Sequence, residues 1–271
     1  MTATTAAAVA TADEQPATRA EVCVAACADA WRGDGELLAS PMGVIPTIGA
    51  RLARALFEPE LLLSDGEATL VAGTWAVDEA APPCATEGWI PYRAVFDLVA
   101  AGRRHVMMGP SQLDRHGNAN ISAIVAAGGD LQHPTRQLLG LRGAPGNTVN
   151  HPTSYWVPRH SPRVLTERVD VVCGVGHDRA VQAGPAASRF HQLRRVVTDL
   201  AVLDFGGPGH TMRLLTVHPG SSAEQVRAAT GFPLHTDDEP GTTRTPTAAE
   251  LALIREVIDP RARRDREVPP R

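Results

Sequence analysis

Apolar and polar positions alternate with different periods along the chain, and the changes of period mark its elements. From about Arg19 to Trp31 the spacing is helical and the run ends near Gly33, which predicts a first helix. A small-residue turn is expected at Ser40-Pro41-Met42-Gly43, followed by a second helix through Ala50 to Phe57 that Pro59 stops. Four later or intervening stretches carry continuous apolar runs instead. They are Leu61-Leu62-Leu63, Val106-Met107-Met108, Val169 to Gly176 and Val196 to Val202. Each is short, mostly β-branched or aliphatic, and bounded by a polar or glycine turn. Such runs read as strands buried on both faces, and strands of that kind belong to a parallel sheet with helices covering it.

Two late helices have legible starts. Ser222 precedes Gln225 by three residues and Thr247 precedes Glu250 by three, the spacing of a capping box. The second is expected from Ala248 to about Ile258, with Leu251, Ile254 and Val257 on one face, and it halts before Pro260. The pattern predicts an α/β fold: a three-layer open, mostly parallel sheet with helices on both faces. No internal repeat or composition break divides it. Residues 1–18 are expected to be a disordered tail, 19–260 a single domain and 261–271 a loose charged tail.

Composition narrows the partners. The 271 residues carry a net charge of −4, from 26 basic and 30 acidic side chains, so no electrostatic footprint for nucleic acid is present. No apolar run approaches the roughly 20 residues of a membrane-spanning helix, and the Ala/Thr-rich start lacks the pattern of a secretory signal. Neither a nucleic-acid nor a membrane partner is expected. The four cysteines, Cys23, Cys27, Cys84 and Cys173, form neither a disulfide framework nor a paired zinc signature. They read as small core side chains in a reducing cytoplasm, and no metal site is expected.

Candidate chemistry sits in the turns, because open α/β sheets bind ligands where strands end and loops converge. Asp65 and Glu67 follow the Leu61–Leu63 run. Two carboxylates so close can share a cleft, where mutual repulsion raises one pKa and suits it to general-base work. The alternative is a solvated turn in which Asp65 folds back on its own backbone. Gln112, Asp114, Asn118 and Asn120 form a polar string whose side chains suit an irregular loop with buried backbone groups to satisfy. The segment Gly140 to Thr148 is glycine-rich, so its backbone N–H groups can approach a ligand closely; a plain loop explains the glycines equally well. His116, His133, His151 and His160 lie in polar stretches without ligand spacing and read as surface or loop histidines.

At these same segments the chain resembles the β subunits of class I CoA transferases. Gly109 to Asn120 is similar to that family's Gly-x-x-Gln-x-Asp-x-x-Gly-Asn-x-Asn element, Gly140 to Asn147 to its glycine-rich loop, and Val196 to Phe205 to its late strand. The resemblance covers about Ala20 to Pro260. Transferase β subunits carry a Ser-Glu-Asn-Gly turn whose glutamate takes up the CoA; here the turn reads Ser64-Asp65-Gly66-Glu67. Asp65 stands at the nucleophile's place one methylene shorter, and Glu67 is displaced by two residues. Misplacement by about 1 Å can cost about 100-fold in rate, so ordinary CoA transfer is disfavoured, though a transferase moving CoA between carboxylic acids stays as the alternative.

Further strings resemble the steroid-ring-cleaving CoA hydrolases of that family. They are Ser64 to Ala68, Leu141 to His151, Thr153 to Val157 and Asp204 to Arg213. That resemblance implies an α2β2 assembly with an α-type subunit, a site between subunits, and a main catalytic glutamate on the α chain. It implies an acyl-CoA substrate, a cyclohexenone carboxyl-CoA left in cholesterol degradation. It implies no cofactor beyond the CoA of the substrate. In this chain Asp65 and Glu67 would then support catalysis by orienting water or the ring ketone. Backbone groups of Gly143, Ala144, Gly146 and Asn147 would position substrate. Arg142 would pair with a substrate carboxylate, unless it is a plain surface arginine.

Overall fold

The computed structural model describes residues 16–270 except positions 67, 142 and 238. Glu67, Arg142 and the first fifteen residues of the expected tail therefore lie outside the described residues. Thr18 caps helix α1 (Arg19–Ala30) through a capping box with Glu21. The helix is buried on nearly every side, since its residues are mostly Ala, Val and Cys. It packs on α2 (Val44–Leu56) through Gly49, where a Cβ would stand 2.9 Å from the Cys27 Cβ. Small side chains at that contact let the two backbones approach.

The main sheet has seven strands. In chain order they are β1 (Leu38–Pro41), β5 (Arg104–Met108), β6 (Pro152–Val157), β7 (Gln192–Thr198), β8 (Ala201–Asp204), β9 (Arg213–Val217) and β10 (Gly241–Thr242), which is also their order across the sheet. The first four are parallel, β8 and β9 run antiparallel to their predecessors, and β10 is parallel to β9. The intervening labels belong to a small antiparallel sheet, β2 (Leu63–Ser64), β3 (Thr69–Val71) and β4 (Thr86–Trp89).

Alternate residues of the central strands enter two different cores. Met107, Trp156 and Val197 join α1 and α2 on one face. Val106, Met108, Tyr155, Val157 and Val196 join Leu113, Ala144 and Val226 on the other. That double burial is why these strands read as continuous apolar runs. The second face is covered by α4 (Ala144–Asn150), α7 (Ala223–Ala228) and the polar string. Between α2 and α7 lie α3 (Ala94–Ala100), α5 (His177–Ala183) and α6 (Pro185–Ser188).

Several expectations are corrected. Ser40 and Pro41 are not in a turn but in the edge strand β1, where a proline is tolerated at the strand's last position. Of the Leu61–Leu63 run only Leu63 enters a strand, in the small sheet, while Leu62 makes a lone parallel bridge to Leu38. The Val196–Val202 run is a hairpin rather than one strand. Thr198 Oγ1 accepts from the N–H groups of Leu200 and Ala201, and the chain turns back so that Val196 faces Leu203.

Val169 to Gly176 forms no strand. Its backbone amides are taken by the polar string and its neighbours: Asp170 N by Gln112, Gly174 N by the Ala119 carbonyl, Val175 N by Thr148 and Gly176 N by Asn118. The string itself does what an irregular buried loop demands, with Asp114 Oδ1 accepting from the N–H groups of His116 and Asn118. His151 and His160 lie in loops but are buried, not on the surface; burial pushes both imidazoles down to about 4. The central strand β6 carries no signal of its own before Tyr155, because Pro152, Thr153 and Ser154 break the apolar run.

At the C-terminus, Thr247 and Glu250 close their capping box on α8 (Ala248–Ala252), which continues as a π-helical turn, Leu253–Ile258. The wider turn rotates the face, so Ile254 and Ile258 are buried while Val257 is exposed. Residues 261–270 are not loose. Arg264 is buried against Asp259 and Glu21, Val268 enters the core, and Glu267 reaches the N-terminus of α2.

Candidate active site

A cavity of about 600 Å³ opens beside edge strand β1. Its walls come from the length of β1, from Thr47, Ala50 and Arg51 of α2, and from the turn Leu63 to Gly66; Trp75, Tyr92 and Arg104 complete it. Strand pairing places Arg104, the first residue of β5, opposite Leu38. The cavity thus runs along the edge strand and draws a group from the starting end of its neighbour, rather than sitting only beyond the carboxyl ends of the strands.

Of the residues expected at a site, Asp65 lies on this cavity. Its Oδ1 accepts from the backbone N–H groups of Ala68 and Thr69, each at 3.1 Å. Through this oxygen the carboxylate shapes the turn. Gly66 has φ +88°, a conformation that suits glycine.

The second half of the glycine-rich segment, from Ala144, is the start of α4 rather than an open loop. Gly143 is its N-cap, Ala144 N–H donates to Leu141 and Asn147 N–H donates to Gly143. Two of the expected backbone donors are therefore committed within the chain. Ala144 and Asn147 are buried, Gly143 is exposed, and Gly146 is half-buried. Asn147 nevertheless reaches the cavity's wall: its Oδ1 accepts from Arg104 Nη1 at 3.1 Å, while Arg104 Nε donates to Ser40 Oγ at 2.7 Å. Arg104 is thus held between the edge strand and α4.

Arg51 reaches the cavity from α2. Its Nη1 donates to the Trp75 carbonyl at 2.7 Å and its guanidinium lies 4.3 Å from the Trp75 ring centre. Burial pushes Arg51 down to about 10 and Arg104 below its usual range. Sequence alone missed Arg51, Arg104 and Ser40 as a group. The available signal is a cation opening an apolar run at Arg104, and nothing local marks the other two.

Ser154, His105 and Asp34 form a hydroxyl–imidazole–carboxylate line, with His105 2.9 Å from Ser154 Oγ and 2.6 Å from Asp34. Ser154 and His105 are fully buried, so this line fastens β5 to β6 and offers no nucleophile to a ligand.

Beside the cavity the β4–α3 segment shows the opposite character. Trp89, Tyr92 and Phe96 are 74%, 76% and 63% exposed. Helix α3 buries none of its residues although six of its seven, AVFDLVA, are apolar. Tyr92 and Val95 of this segment also line the cavity. An exposed apolar surface of this size marks an interaction site.

No protein-family model matches the chain. A search of solved structures finds the fold in glutaconate CoA-transferase from Acidaminococcus fermentans, with TM-score 0.75 and 25% identity over 90% of this chain and 95% of that one. The architecture is therefore that of a CoA-transferase-type subunit. The crystal structure of Rhodococcus jostii RHA1 IpdAB matches with TM-score 0.87 and 57% identity, over 94% of this chain and 99% of that chain. In sequence, the cholesterol ring-cleaving hydrolase IpdB subunit of Rhodococcus jostii is 58% identical over 251 residues, 93% of this chain and 96% of its own length. The chain belongs to the family of these IpdB subunits, within the β subunits of the CoA-transferase family.

Proposed function

We propose that this chain is the β-type subunit of a CoA-dependent hydrolase that opens the last steroid ring in cholesterol degradation, acting on a cyclohexenone carboxyl-CoA. The observation that carries the reading is 58% identity to a ring-cleaving hydrolase subunit across almost its whole length. Asp65 supports hydrolysis over transfer: Oδ1 is tied to two backbone amides, which suits a fixed wall better than a nucleophile that must swing onto a thioester.

In this chemistry water adds to the ring ketone, the ring C–C bond breaks in a retro-Claisen-like step, and the thioester survives. The base for water is a glutamate of the α-type partner. This chain supplies the cavity wall, with Arg51 and Arg104 on it. No cofactor is required beyond the CoA that the substrate carries.

The α-type partner seats on the face of Trp89, Tyr92 and Phe96 and closes the cavity that Tyr92 borders, giving an α2β2 enzyme. Two supports are the two-subunit relative and an apolar helix with no buried residue. Among the described residues no helix is long and apolar enough to cross a membrane. The buried free thiols of Cys23, Cys27 and Cys173 suit a reducing cytoplasm.

The test is to co-express the chain with its α-type partner and incubate the complex with the cyclohexenone carboxyl-CoA. Mass spectrometry should show gain of one water with CoA still attached. Movement of CoA onto an added carboxylic acid would instead establish a transferase, and turnover by this chain alone would remove the catalytic role from the partner.

A further inference from the structure

Among the described residues the cavity beside β1 is lined by two arginines and one carboxylate, Asp65. Arg51 and Arg104 both line it, one from α2 and one from the start of β5. Every described hydrogen-bond partner of theirs is neutral: the Trp75 carbonyl for Arg51, and Ser40 and Asn147 for Arg104. Among the described residues neither guanidinium pairs with a carboxylate, whereas Arg54, Arg194, Arg213, Arg244 and Arg264 each do. Asp65, the acidic residue among the described lining, turns Oδ1 to Ala68 and Thr69. Burial pushes both arginines below their usual range with no opposing carboxylate.

A half-buried guanidinium without a counter-ion is costly unless a ligand completes it. The neutral contacts also fix these two in place. Arg104 is held through Nε and Nη1, which leaves Nη2 without a partner among the described residues, and Arg51 is held through Nη1 with its guanidinium carbon over the Trp75 ring. Fixed donors from two elements lining one cavity suit a planar anion held by charge-assisted hydrogen bonds.

We infer that Arg51 and Arg104 together form a carboxylate subsite, which holds an acid group of the acyl-CoA apart from its thioester and selects acyl chains that carry one. The inference rests on the proposed function for the acyl-CoA and on the cavity alone for the anion. A CoA phosphate is the other source of negative charge, and the test separates the two.

The assembled complex with its α-type partner is titrated calorimetrically with glutaryl-CoA and with pentanoyl-CoA, which has the same chain length and no terminal acid. The wild-type complex should bind glutaryl-CoA about 10- to 100-fold more tightly, the range of one or two charge-assisted hydrogen bonds. Arg104→Met and, separately, Arg51→Met should erase most of that preference and leave pentanoyl-CoA binding unchanged, which also reports that each variant folds and assembles. Three results would overturn the inference: no preference in the wild type, a preference that survives both substitutions, or equal weakening of both ligands, which would assign the arginines to a CoA phosphate. Because no turnover is read, failure of the ring-cleaving activity would leave this comparison intact.

Discussion

Replacing Glu267 by alanine tests whether the C-terminal segment is a structural strap. Helix α2 starts after Gly43, which has no side chain to cap it, and Glu267 supplies the cap from the far end of the chain. Its carboxylate accepts from Val44 N at 2.7 Å, Ile45 N at 3.0 Å and Trp156 Nε1 at 3.1 Å. Loss of a helix cap costs about 1 kcal/mol and reaches about 2 kcal/mol. The indole N–H of Trp156, whose residue is 2% exposed, would lose its acceptor, at about 1–3 kcal/mol. The three bonds share one carboxylate, so the effects overlap and the expected total is about 2–4 kcal/mol. Glu267→Gln keeps an acceptor and should cost about half as much. The assay is the urea midpoint of the assembled complex followed by tryptophan fluorescence, with an unchanged slope showing that stability alone has moved. A Glu267→Ala complex within about 0.5 kcal/mol of wild type would refute the strap and make the contact incidental.

Further outcomes concern charge, the turn and assembly. Burial alone would raise the carboxyl of Glu21, but the hydrogen bonds from Arg255 and Thr18 and the charge of Arg264 outweigh it and hold Glu21 below its usual value. Because the folded value is the lower one, its contribution is complete above the unfolded pKa of about 4.5 and fades as pH falls through the folded value. Glu21→Gln should therefore flatten the acid limb of a stability–pH curve, and an unaltered limb would contradict the ion-pair account. Asp65→Asn retains the acceptor for Ala68 and Thr69 and should keep turnover within about threefold, whereas a loss of about 100-fold would put the carboxylate in the chemistry. Trp89→Asp combined with Phe96→Asp changes exposed side chains and should leave the chain folded by circular dichroism yet unable to form the complex in analytical ultracentrifugation. Normal assembly of that double variant would move the partner to another face.

Much of the fold was legible because its determinants are local. The helix starts at Ser222 and Thr247 depend on residues three apart, and the runs around Val106 and Val196 announced strands buried on both faces. Where local pattern failed, a distant group had changed the outcome. Val169 to Gly176 looks like a strand, but Gln112, Ala119, Asn118 and Thr148 take up its amides first. The last ten described residues look like a solvated charged tail until Glu21 offers Arg264 a buried partner and α2 offers Glu267 two free amides.

By itself the sequence determined the α/β class, the polar string that holds an irregular layer together and, through long matching strings, the kinship. Only the tertiary structure decided the site. Arg51, Asp65 and Arg104 lie 14 and 39 residues apart along the chain, and of the three only Asp65 stood out in the sequence. They meet because β1 pairs with β5 and α2 lies beside the Ser64–Gly66 turn. Periodicity reports which side of an element is buried. It carries no information about which distant charges will face one another across a cavity, because that depends on strand order and on which partners have already been taken.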